Sequence, residues 1–240
     1  MMREIIIENI DIPVNSGNIA LKGSIYYTLD TPSKAPFIVI LGGLWDHRET
    51  PFVKSHSEKF AKAGYYVLSY DYRAHGETKK QTGSLWYKMI LQIFADIHLV
   101  FDWIIENQSD RLLEEQIFLF GRSMGGAIIL TNGYIDHRAK KLIALCTRYD
   151  YHTTAVNFQE DIIKKISPKY FLREDPLNQR ILIAHCKDDD RIPFDNFHQI
   201  KEKLGLNDEN AIEFDSGGHS FKGHREEIFK YSLEFLKKLE

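Results

Sequence analysis

Two cysteines, seven prolines and no apolar run near the ~18 residues that a membrane-crossing helix needs mark this 240-residue chain by what it lacks. Cys146 and Cys186 are too few and too far apart for a disulfide framework or a cysteine-built zinc site, so no structural metal is expected. Charge of one sign is also missing. With a formal net charge of −3 and no basic block, the chain has no electrostatic footprint for nucleic acid. The opening "MMREIIIENI" sets charges around an apolar stretch too short for a signal peptide. These absences predict a soluble, cytoplasmic protein without nucleic-acid or membrane partners. Oligomeric state stays open.

What is present suits one α/β domain over residues 1–240, since 43% hydrophobic content supplies a sizeable core and no repeat or low-complexity linker divides it. Apolar runs bounded by turn residues alternate with helical spacing. Strands are predicted at Ile5 to Val14, Ile19 to Leu29, Phe37 to Leu41, Tyr65 to Tyr72, from Ile117, at Leu142 to Cys146, at 181–185 and at "AIEF". Helices are predicted at Phe52 to Lys62, Trp86 to Glu106, Gly125 to Ile135, Phe194 to Leu204 and Glu226 to Leu239. Residues 147–179 lack a strong period, with a short helical piece near Asp161 to Ile166 and a stop at Pro168. Such alternation implies a mostly parallel sheet of about eight strands, covered on both faces. Active residues in such sheets gather beyond the carboxyl ends of the strands.

One strand ends unusually, in "IFLFGRSMGG". Gly121, Gly125 and Gly126 surround Ser123, a pattern that fits either a capped tight turn or G-x-S-x-G, a strained strand-to-helix turn that exposes the serine hydroxyl. A serine nucleophile needs a base and an acid that orients it. Just past the strand "ILIAH" the chain reads "CKDDDRIP", and past "AIEF" it reads "DSGGHS", which supplies His219. Imidazole titrates near neutrality, so His219 can accept a serine proton and return it to a leaving group. The order is serine, aspartate, histidine.

Four motifs together resemble the α/β-hydrolase family across essentially the whole chain: "ILGGLWDHRET", "DYRAHGET", "GRSMGG", and "HCKDDDRIP" with "GGHS". Within the family the chain is most similar to compact esterases of the feruloyl-esterase and monoacylglycerol-lipase kind, and more distantly to prolyl-oligopeptidase catalytic domains. The resemblance implies an α/β-hydrolase fold, Ser123 as nucleophile, His219 as base and Asp189 as acid, Asp188 and Asp190 being solvated or capping alternatives. It further implies an oxyanion hole from the backbone amides of Gly43 and Met124, and no cofactor.

Three departures stand out. Leu41 occupies the family's usual histidine position, while Ala74 and Cys186 replace common glycines. His75 belongs to a structural turn by the same resemblance. The family's sheet order makes the strands ending at Cys146 and Cys186 neighbours, so the thiols are expected close together. Residues 147–179 leave room for only a minimal cap, which implies a shallow site and a small or medium carboxylic ester as the small-molecule substrate. Trp45, Trp86, Tyr149 and Tyr151 are candidate pocket residues, with core packing as the alternative. Amide or thioester hydrolysis by the same residues, and a non-catalytic binding module on the same fold, are the competing functions.

Overall fold

The computed structural model describes residues 4–14 and 18–238, without the side chain of Glu115. Leu239, the expected end of the last helix, lies outside the described residues, as do Met1 to Arg3 of the N-terminal stretch. Eight strands form one sheet: β1 (Ile5–Pro13), β2 (Ala20–Thr28), β3 (Ala35–Leu41), β4 (Tyr66–Tyr70), β5 (Leu112–Arg122), β6 (Ala139–Leu145), β7 (Ile181–Cys186) and β8 (Ala211–Phe214). Their order is β1-β2-β4-β3-β5-β6-β7-β8. The pairs β1/β2 and β2/β4 are antiparallel, and all the others are parallel. This is the α/β-hydrolase architecture that the motifs predict.

The central strands read as unbroken apolar runs because helices cover both faces. Phe37, Val39 and Leu41 of β3 enter one core layer, while the alternate residues Ile38 and Ile40 enter the other. The first layer lies against α3 (Ile90–Asn107), which presents Ile93, Phe94, Ile97, Val100, Phe101 and Ile104 at helical spacing. The second lies against α1 (Pro51–Lys62) and α7 (Arg225–Lys237), with Phe60 and Phe120 at its centre. Each such fully buried side chain contributes about 1.5–3 kcal/mol. Three short helices and α6 (Asp195–Leu204) complete the set: α2 (Lys79–Thr82), α4 (Met124–Ile128) and α5 (Glu160–Ile166). Among the described residues no helix is long and apolar enough to cross a membrane.

Three boundaries differ from expectation by three residues or more. The helix predicted from Trp86 begins at Ile90, because Met89 (φ −113°, ψ 9°) interrupts it after a single turn at Trp86–Lys88. β5 begins at Leu112, five residues early, since its polar "EEQ" stretch hides the pattern and Glu114 adopts φ 44° beside a register shift. β6 begins at Ala139, because Lys141 is buried with its ammonium on the Phe235 carbonyl at 2.9 Å and so mimics no core residue in sequence.

Candidate active site

The elbow's three glycines answer to close approaches of backbone and side chain. A Cβ on Gly125 would lie 2.2 Å from the Leu41 carbonyl oxygen, and one on Gly126 would lie 1.9 Å from Thr147 Oγ1. One on Gly121 would meet Leu41 at 2.9 Å. The turn is thereby pressed between the ends of β3 and β6, and no side chain larger than hydrogen fits there. Ser123 bears the cost with φ 59° and ψ −118°, a conformation non-glycine residues rarely adopt. Its N–H donates to the Leu145 carbonyl at 2.8 Å, which fixes the strained residue to β6. The next residue, Met124, opens α4, which continues as a wider turn over Ile129–Gly133.

Asp189 and His219 meet across the ends of β7 and β8, with His219 Nδ1 2.8 Å from Asp189 Oδ2 and both residues buried. The other carboxylate oxygen accepts the amides of Arg191 (2.9 Å) and Ile192 (3.0 Å). Burial alone would raise this acid. Hydrogen bonds from His185, His219 and the Ile192 amide overcome it and hold the carboxyl far below the usual range. His219 sits in a turn, Gly218–Ser220, entered through Gly217 (φ 126°) and Gly218 (φ 58°). Asp188 braces that turn by accepting the Gly218 amide at 2.7 Å and the Gly217 amide at 3.1 Å. An exposed side chain that accepts backbone amides agrees with the expectation of a solvated or capping residue. Asp190 is exposed. Among the described residues, no hydrogen bond joins Ser123 Oγ to His219, a contact that apo sites often leave loose.

The loop expected to form an oxyanion hole departs from that expectation. Gly43 is beside Ser123, since a Cβ on it would lie 3.6 Å from Ser123 Oγ, yet its N–H donates to Asp46 Oδ2 at 2.7 Å. The same oxygen accepts from Arg122 at 3.0 Å, and that guanidinium rests over the Phe52 ring at 4.3 Å. The expected donor is therefore engaged by the chain's own carboxylate. No sequence signal pointed to Asp46, because its role appears only when the loop folds back on itself.

"DYRAHGET" forms the expected structural turn. Asp71 accepts the amides of Arg48 (2.9 Å) and Glu77 (2.6 Å), and His75 Nδ1 lies 2.9 Å from the Arg73 carbonyl. Burial lowers the pKa of His75 and keeps the ring neutral. Ala74, where the family has glycine, is held at φ 62°.

The four candidate pocket residues separate. Trp45 is 63% exposed and stands edge-on to the half-buried Trp86 at 6.2 Å. Tyr149 is half-buried, with its amide on Asn196 Oδ1 at 2.9 Å. Tyr151 is corrected to a core residue: it is buried with its ring edge-on to Phe94 at 6.1 Å. A cavity of about 550 Å³ runs beside the oxyanion loop, lined by Trp45, His47, Arg48, His75 and Lys79 among others, and does not include Ser123. Cys146, Asp189 and His219 place ligand-type atoms within 4.8 Å of one another. Two of them are spent on their mutual hydrogen bond, and burial together with the Asp189 charge pushes the Cys146 thiol well up, so the set suits a proton better than a metal. Both cysteines are buried and free.

Comparison with known proteins gives a consistent likeness. A profile of the family described as Serine aminopeptidase, S33, matches residues 32–192. The quorum-quenching protein AidA of Acinetobacter baumannii (strain MDR-ZJ06) is 24% identical over 141 residues, which cover 57% of this chain and 43% of that protein. This chain thus matches less than half the length of that relative. Ferulic-acid-bound Est1E from Butyrivibrio proteoclasticus superposes with a TM-score of 0.73 at 17% identity, covering 95% of this chain and 100% of that one. Pyrococcus horikoshii acylaminoacyl peptidase gives a TM-score of 0.74 at 19% identity, covering 100% of this chain and 43% of that one. At these identities the structural likeness is one of fold.

Proposed function

The chain belongs to the serine aminopeptidase, S33 family of α/β-hydrolases, and on that premise we propose that it hydrolyses small or medium carboxylic esters through an acyl-enzyme formed on Ser123. The observation that carries the reading is the buried Asp189–His219 pair, 2.8 Å apart, beyond the same carboxyl ends of the parallel strands as the strained Ser123. With Nδ1–H held by the carboxylate, Nε2 is left free to take the serine proton. Ser123 Oγ then attacks the acyl carbon. Collapse of the tetrahedral adduct expels the alcohol, which receives the proton from Nε2, and leaves the acyl group on Oγ. Water repeats the attack, with His219 again as base, and the free acid departs as the serine hydroxyl is restored. The oxyanion is held by the amides of Met124 and Gly43, the latter once Asp46 turns aside.

The size preference rests on the cap. Residues 147–179 hold only α5 and three single turns, too little to enclose a long acyl chain. A fluorophosphonate probe is expected to label the protein at Ser123, and Ser123→Ala is expected to abolish labelling and reduce turnover to roughly the 10³–10⁴ over water that remains without a triad. Wild-type turnover in that variant overturns the mechanism. A panel of esters, thioesters and aminoacyl amides then fixes the bond: a preference for the amides would move the assignment to a peptidase.

A further inference from the structure

Asp189 is held by more than its bond to His219. Its Oδ2, the oxygen facing His219, lies 3.2 Å from Nε2 of His185 on β7, and the same Nε2 lies 3.0 Å from the Ile192 carbonyl. Both neighbours are acceptors, which assigns the hydrogen to Nε2: the hydrogen bond goes to the Ile192 carbonyl, and Asp189 Oδ2 lies at ion-pair distance from the same N–H. The Ile192 amide in turn donates to Asp189 Oδ1 at 3.0 Å. His185, Ile192 and Asp189 thus form a closed ring of contacts around the carboxylate. His185 is 1% exposed, and Phe194 and Phe197 at the start of α6 stand edge-on to it at 5.8 and 6.4 Å, so the imidazole has no room to turn away.

We propose that His185 is a positioning residue for the hydrolytic reaction, its Nε2–H fixing Asp189 Oδ2 toward His219 and tempering the negative charge that His219 meets. The inference rests on the triad reading of Ser123, Asp189 and His219. Other groups near the carboxylate do not duplicate this role. Cys146, at the end of β6, offers only a weak S–H donor. The Cys186 thiol is raised to about 12 by burial and by the Asp188 and Asp189 charges, so it stays neutral at working pH. Asp188 is turned to the Gly217 and Gly218 amides. His185 is therefore a second imidazole at the carboxylate that holds His219.

The test compares kcat, KM, the pH profile and the melting temperature of His185→Leu and His185→Gln. The leucine variant is expected to lose about 10- to 100-fold in kcat with KM little changed, since misorientation of a reacting group costs rate rather than binding. Its acid limb in kcat/KM is expected to move to higher pH, because a carboxylate that has lost a donor holds the imidazolium proton more firmly. His185→Gln, whose amide N–H can span the same two acceptors, is expected to restore most of the rate and the limb. Should the leucine variant not fold, His185→Asn, polar but too short to reach Asp189, carries the same expectation. A folded variant with wild-type kcat and an unmoved limb overturns the proposal, as does a lowered melting temperature with both preserved. If Ser123→Ala is inactive and unlabelled while His185→Leu is unaffected, this inference alone fails. If Ser123→Ala stays active, the triad reading fails first.

Discussion

Three aspartates stand side by side after β7, and their surroundings give each a different fate. Asp189 is buried and hydrogen-bonded on both oxygens, Asp188 spans two loop amides, and Asp190 faces solvent. Asp189→Asn is expected to lower kcat about 10⁴-fold, the loss that follows when a triad histidine is held in the wrong tautomer. Asp188→Asn keeps an acceptor for one of the two amides and should lose far less, about tenfold, while Asp190→Asn should match the wild type. Measuring all three at one pH decides the matter, and an Asp188 variant as slow as the Asp189 variant would move the acid by one residue. The resemblance of "HCKDDDRIP" to the family's pattern implied Asp189 as the partner of His219, and the two meet at 2.8 Å. Asp46 and His185 were not readable, since their contacts join residues whose neighbourhood exists only in the fold.

At the scale of elements, the cap is held by a charged staple. His152 places Nδ1 2.6 Å from Asp150 and Nε2 2.7 Å from Glu160 at the start of α5, and Lys169 adds a second bond to Asp150 at 2.8 Å. Hydrogen bonds to Glu160, then Asp150, raise the His152 pKa from its ordinary 6.5. A histidine raised on folding contributes stability that is complete below its unfolded value and is lost as pH climbs through the folded one. Hydrogen exchange over residues 150–166 is therefore expected to quicken as pH rises above the ordinary histidine value of about 6.5, beyond the intrinsic base-catalysed rise, and His152→Gln should remove that excess. Exchange in the wild type that follows the intrinsic rise alone would show that the staple carries nothing. The core elements were legible because apolar period and length agree in β3, β7 and α3. The start of β5 was hidden by its polar "EEQ" stretch, and that of β6 by Lys140 and Lys141, the second of them buried with its ammonium on the Phe235 carbonyl far along the chain.

Across the whole molecule, one buried histidine sets a cost for acid. His56 in α1 donates from Nδ1 to the Phe52 carbonyl at 2.8 Å, and its Nε2 is buried without a partner. Burial lowers its pKa to about 4, so between the ordinary 6.5 and that value the unfolded chain binds a proton that the folded chain refuses. Stability should fall by up to about 3 kcal/mol over that window. His56→Leu is expected to flatten this part of the melting-temperature profile between about pH 7 and 4.5. An equally steep profile in the variant would place the acid sensitivity elsewhere. The sheet order has a temporal consequence as well. Ser123 leaves β5, Asp189 leaves β7, and His219 follows β8 at the far edge, its turn set by Asp188. Chains are made from the N-terminus and fold as segments emerge. A nascent chain can therefore complete the turn around Ser123 long before it owns His219, and under the proposed mechanism its serine stays chemically mute until β8 docks.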